Sequence, residues 1–184
     1  MNNWTTQIDK ITDSFVTTFG NLNSEQLNWK PDPQSWSIAQ NIDHLIETNQ
    51  SYFPVLASLK DGTYKTPLTG KFGFLVNFFG KMILNAVKPD RKKKVKTFPV
   101  WQPATGNIDG DILLRFKNHQ AELKEQIAGS KELLENRAVI SSPANRNIVY
   151  RIDKAFDILV LHELRHFEQA KEVQQQMTTG TASS

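Results

Sequence analysis

The chain contains four histidines, at positions 44, 119, 162 and 166. Two of them fall in one string, His162-Glu163-Leu164-Arg165-His166. Residues four apart on a helix share a face, with Cβ atoms about 5–6 Å apart. Two imidazole nitrogens so placed can converge on one ion, at about 2.0–2.1 Å if it is zinc. With no cysteine in the chain, thiolate zinc sites, disulfides and cysteine nucleophiles are excluded, and any metal must be held by nitrogen and oxygen.

The same string matches H-E-x-x-H, the zinc-protease helix in which the glutamate activates water at the metal. Phe167-Glu168-Gln169-Ala170-Lys171-Glu172 supplies neither the glycine nor the third histidine of a metzincin. The 18 residues after His166 are too few for a further helix carrying a glutamate ligand. The sequence also shows no sheet to support such a site, so a metallopeptidase is the weaker alternative.

The third ligand must then come from upstream, from His44 or His119. Projection at 100° per residue places His44 off the centre of its apolar stripe, beside Ser37, Thr48 and Ser51. His162 and His166 likewise flank their stripe. Three histidines so placed can meet in a cleft with open positions for water and substrate, the arrangement of a catalytic site. His119 lies between Phe116 and Leu123 on its own stripe and reads more simply as a core histidine. Glu163 projects toward the core, where a carboxylate needs a partner; it either orients a ligand histidine or pairs with another buried group. Gln169 lies on the histidine side, within reach of a group at the metal. Arg165 faces away from the stripe, toward a surface or inter-helix ion pair.

These residues need helices to position them. Trp4, Ile8, Ile11, Phe15 and Phe19 give Asn2 to Phe19 a helical period, which Gly20 ends. Two prolines in Leu27-Asn28-Trp29-Lys30-Pro31-Asp32-Pro33 forbid a continued helix. Ser37-Ile38-Ala39-Gln40 has the form of a capping box and starts a second helix, carrying His44, that runs past Leu56 to Asp61-Gly62, with a bend expected at Pro54. A third helix is predicted from Asp109 to Ala128. A fourth, N-capped by Asp153, is predicted to reach Met177. No run of alternating residues indicates strands. The sequence therefore predicts an all-α, four-helix bundle with a long insertion, residues 62–106, between the second and third helices. Residues 1–177 form one domain, and 178–184 a flexible tail.

Within the insertion, Phe72 to Val87 is apolar but interrupted by Asn77, Lys81 and Asn85, too short to span a membrane comfortably. It predicts a short helix folded over the bundle as a lid or pocket wall, in preference to an interfacial anchor. Phe98 to Pro103 reads as an extended stretch laid on the bundle. Hydrophobic residues make up 39% and charged residues 22%, an ordinary globular balance. The net charge of +3 comes largely from Lys88 to Lys96, a solvated loop and not a nucleic-acid footprint, which would spread over a face. The start, MNNWTTQIDK, lacks the pattern of a signal peptide, and a cytoplasmic address is the expectation.

Trp36-Ser37-Ile38-Ala39-Gln40-Asn41-Ile42-Asp43-His44-Leu45, followed downstream by His162-Glu163-Leu164-Arg165-His166-Phe167-Glu168-Gln169-Ala170, resembles the DinB/YfiT-like superfamily. The resemblance covers the chain to about residue 177. It implies a four-helix bundle holding a divalent metal, often nickel or zinc, by His44, His162 and His166 together with waters. It also implies a small-molecule substrate, in some relatives a low-molecular-weight thiol, and frequently a homodimer. Characterised relatives include thiol-dependent S-transferases and isomerases, and others are described as metal-dependent hydrolases. The 62–106 insertion departs from the pattern, so the resemblance does not fix a substrate.

Overall fold

A computed structural model of the chain describes residues 3–90 and 97–181. The expected loop at Arg91 to Lys96 and the tail residues 182–184 lie outside the described residues. Helix α1 spans Trp4–Phe19, capped by Asn3, and buries Trp4, Ile8, Ile11, Phe15 and Phe19, the stripe read from the sequence. A short helix that the sequence did not announce, α2 (Ser24–Asn28), follows Gly20. Asn23 and Gln26 cap it reciprocally.

The predicted second helix is two helices, α3 (Ile38–Gln50) and α4 (Phe53–Lys60). The break falls before Pro54, whose ring would clash with the carbonyl of residue 50 and which has no N–H to give it. Gly62, at φ 75°, follows the end of α4. Ser37 caps α3 as expected: its Oγ accepts from Gln40 N–H at 3.1 Å, and Gln40 Oε1 accepts from Ser37 N–H at 3.2 Å.

Residues Phe72 to Val87 do form a helix, α5 (Gly73–Ala86), preceded by a 3₁₀ turn at Leu68–Lys71. Phe98 to Pro103 is not simply extended: Pro99–Trp101 forms a 3₁₀ turn that rests on α3. Helix α6 covers Ile112–Ala128, starting three residues later than predicted, and α7 covers Lys131–Glu135.

No strands were expected, but Val139–Ser142 (β1) and Asn145–Arg151 (β2) pair as an antiparallel hairpin. Ile140 and Tyr150 face each other in the register and are buried. Helix α8, Ile152–Thr181, follows β2 without a connecting loop. Asp153 is therefore not its cap but lies in its first turn, paired with Arg151 at 2.6 Å. The helix also runs four residues past Met177.

Helices α1, α3, α6 and α8 carry the core. α1 packs on α6 and α8, and α3 packs on the same two, so each has two of the others as neighbours. Phe15 meets Phe116 of α6 at 4.8 Å and Phe167 of α8 at 5.2 Å between ring centroids. Trp4 packs edge-on to Phe156 and donates its indole N–H to Asp157 at 2.9 Å. Each fully buried large side chain contributes roughly 1.5–3 kcal/mol, so this side of α3 and α8 fixes the crossing from which their other residues project. α5 lies outside the ring, against β2 and α8. Gly80 allows the approach: a Cβ there would stand 3.4 Å from Tyr150 Cβ.

Because Ser37 is buried and closes both halves of the α3 cap, Ser37→Ala should lower the unfolding free energy by about 1–2 kcal/mol. Chemical denaturation followed by circular dichroism checks this, and an unchanged midpoint would show that the cap is not holding the helix.

Candidate metal centre

α3 and α8 cross so that His44 meets His162 and His166, one helical turn apart on α8. His162 Nε2 stands 3.2 Å from His44 Nε2 and 3.1 Å from His166 Nε2. Two nitrogens bound to one ion at about 2.0–2.1 Å would stand about 2.9–3.4 Å apart for octahedral or tetrahedral angles. The spacing therefore suits a single ion, and among the described residues these three form the group able to hold a metal. His119 is not part of it.

Each ring is aimed by what its other nitrogen touches. His44 Nδ1 lies 2.5 Å from the Trp101 carbonyl, which can only accept, so Nδ1 carries the proton and Nε2 a lone pair. His166 Nδ1 lies 2.8 Å from Asn41 Oδ1. Asn41 is turned by its own Nδ2, which donates to the Ser37 carbonyl at 2.9 Å, so Oδ1 is the acceptor and His166 Nε2 is again the free lone pair. The helix cap thus reaches the site through Asn41. Trp36, half-buried, stacks on His166 at 5.8 Å and sits 4.9 Å from His44 between ring centroids.

Burial keeps all three imidazoles neutral, the form a metal requires. His44 is held below its usual range by desolvation, against smaller upward pulls from the Trp101 carbonyl and Asp43. His162 and His166 lie well below it, through burial first and then neighbouring histidines and Arg165.

A strap from the insertion closes over α3. Besides the Trp101 carbonyl on His44, Trp101 donates its indole N–H to Ser51 at 3.1 Å. Gln40 Nε2 donates to the Ala104 carbonyl at 2.8 Å, and Ala104 N–H donates to Asp43 at 3.2 Å. Sequence reasoning missed Asn41, Trp36 and Trp101 as parts of this site. The period of α3 did contain a signal for Asn41, three residues before His44 on the same face.

Glu163 does not orient a ligand histidine. Its carboxylate accepts from Asn49 Nδ2 at 2.8 Å and from Gln120 Nε2 at 2.9 Å, fully buried among α3, α6 and α8. Desolvation raises its pKa to about 7, against the smaller downward pull of the two amides. Both oxygens are engaged by core amides, so the glutamate of the H-E-x-x-H string is not set as a protease base. Gln169 is half-buried beyond His166 on α8. Arg165 is buried, not at the surface. Its Nη1 donates to the Lys88 carbonyl at 3.1 Å and the Ala86 carbonyl at 3.4 Å, where a cation meets the negative end of α5.

A family model described as the DinB superfamily matches residues 7–170. No curated protein and no solved structure matches the chain.

His119 is buried against the Phe53 ring at 5.6 Å, and neither ring nitrogen has a hydrogen-bond partner among the described residues. Desolvation lowers its pKa from 6.5 to about 4. A base with a depressed folded pKa leaves stability intact above the unfolded value; it is lost as pH falls from about 6.5 toward 4. His119→Leu should therefore be neutral or stabilising at pH 7. It should also abolish about 2–3 kcal/mol of the stability that the parent protein loses by pH 4.5. Urea titrations of both metal-free proteins at the two pH values check this. A substitution that instead removes metal at pH 7 would make His119 a ligand.

Proposed function

This chain belongs to the DinB superfamily, and we propose that it is a metal-dependent enzyme acting on a small molecule by thiol S-transfer or hydrolysis. In this reading the ring of α1, α3, α6 and α8 is a four-helix bundle, with residues 62–106 as an insertion between its second and third members. The observation that carries the reading is the convergence of three neutral imidazole nitrogens, 3.1 and 3.2 Å between neighbours, from two packed helices. His44, His162 and His166 would hold one divalent ion, nickel or zinc by the donor set. Held by three uncharged ligands, such an ion keeps its full positive charge to lower the pKa of a bound water or thiol toward neutrality.

The residues around the trio support this chemistry. Asn41 and the Trp101 carbonyl each hold an Nδ1 proton, so His44 and His166 present lone pairs without a rotation that the ion would have to induce. His44 and His166 are buried and His162 is half-buried, which puts the approach for a small molecule on the His162 side. Trp36 covers His44 and His166 and offers an apolar wall to a substrate.

Alanine at 44, 162 or 166 should each strip the metal, read by elemental analysis of protein purified without chelating resin, while far-ultraviolet circular dichroism stays helical. Metal-loaded protein should then consume a low-molecular-weight thiol with an electrophile, or hydrolyse a small ester, and the histidine variants should not. Stoichiometric metal with no turnover over a broad panel would reduce the protein to a metal-binding module.

Asn41 supplies a separate check. Asn41→Leu removes the acceptor for His166 Nδ1 and should weaken metal affinity by about 10–100-fold without abolishing it. Competition with a chromophoric chelator measures this. Unchanged affinity would mean that the Asn41 contact does not aim the ligand.

A further inference from the structure

α5 has one partnered face and one bare face. Val76 and Gly80 are buried, with Ile83 and Leu84 half-buried against the core. On the opposite side Phe74, Phe78 and Met82 recur every fourth residue and are 70%, 58% and 40% exposed. Leu68 and Phe72, just before the helix, are exposed as well. The segment was expected to fold over the bundle as a lid or pocket wall; its largest side chains face solvent, and it is the strap at Trp101 that lies beside His44. Several large apolar groups together on the outside mark a surface that something covers.

Between the exposed Asp61 and Asp90 the charges of the segment have one sign. Residues 62–89 contain Lys65, Lys71, Lys81 and Lys88 and no aspartate or glutamate. All four lysines are exposed. Exposed Arg146 of β2 joins them, donating to the Lys65 carbonyl at 3.2 Å.

We propose that the outer face of α5 is a peripheral docking surface for an anionic lipid bilayer. The 14-residue helix is too short to cross one, and no described helix is long and apolar enough to do so. Lying in the plane of the membrane, it sets Phe74, Phe78 and Met82 at the headgroup boundary while the lysines meet lipid phosphates. An apolar face and a basic cluster are the two signals that reversible anchoring needs, since one alone gives only marginal binding. Charge argues against a second copy of the chain as the occupant. A two-fold interface places the same patch opposite itself, which would set the lysines of one copy against the like-charged patch of the other, with no acid between residues 62 and 89 to pair them.

Flotation of the full chain with phosphatidylcholine vesicles, with and without phosphatidylglycerol, tests the proposal. Binding is expected to the anionic vesicles only and should fall as salt rises. The double variant Phe74→Ser/Phe78→Ser changes two exposed side chains, so its Tm should be unchanged while its partitioning drops by about tenfold or more. Lys71→Glu/Lys81→Glu should weaken binding in the same direction. The proposal is overturned if the intact chain stays off anionic vesicles, or if the phenylalanine variant floats as the parent does. It is also overturned if sedimentation shows a dimer that the phenylalanine variant splits, which would give the face to a second copy.

Discussion

Three uncharged imidazoles cannot comfortably turn their lone pairs toward one point, so the packing of α3 on α8 has to hold them there against that crowding. Burial opposes protonating any of the three, so a proton is a poor way to relieve the crowding, whereas a divalent cation relieves it fully. The rings are held in place from behind. Asn41 and the Trp101 carbonyl take the Nδ1 protons, and the apolar sides of both helices are fixed against α1 and α6. Ile38, Ile42 and Leu45 of α3 are completely buried. At roughly 1.5–3 kcal/mol each, the core can hold a polar arrangement that would not form alone.

The turn of α8 from His162 to His166 is where the parts of the molecule join. Its first and last residues face α3, Glu163 takes amides from α3 and α6, and Arg165 reaches the carbonyls at the end of α5. Successive helical residues point about 100° apart, so five residues can address three neighbours. This explains why a match to H-E-x-x-H misleads here. The spacing of the histidines makes a metal pair on any helix, but the role of the intervening glutamate depends on which element packs beside it. Asn49 and Gln120 make it a buried polar anchor, with Asn49 Oδ1 and Gln120 Oε1 left without partners.

The histidine trio and the four long helices were legible because both rest on helical period, which a single sequence displays. The i, i+4 pair, the Ser37–Gln40 cap and the stripes of α1, α3, α6 and α8 all follow from 3.6 residues per turn. The hairpin was not legible. β1 has only four residues, and the register shifts between Ser141 and Ser142, so no alternation long enough to detect develops. The start of α8 was misplaced for a related reason. β2 runs straight into it, and Asp153, an acceptable cap by type, is occupied by Arg151. Arg165 and Glu163 were read by face alone, but their partners come from elements far away in sequence. Asn49 and Gln120 lie 114 and 43 residues from Glu163, and no local pattern announces such pairs.

The insertion divides into two parts with opposite physics. Its second part, around Trp101, leaves Phe98 and Val100 exposed, yet it is tied down by hydrogen bonds to His44, Ser51, Gln40 and Asp43. Its first part, α5, is rich in apolar groups, yet only one side of it is covered. Hydrophobic count alone therefore does not tell which part of the insertion lies beside His44. What places a segment beside a polar site is its ability to satisfy polar groups there. The Trp101 carbonyl does so for His44 Nδ1, a demand that no side chain of α5 facing it could meet with Phe, Leu or Val. α5 instead settles where an apolar face has value, on Tyr150 and α8. Arg165 then joins its C-terminal end to the same turn of helix that carries His162 and His166.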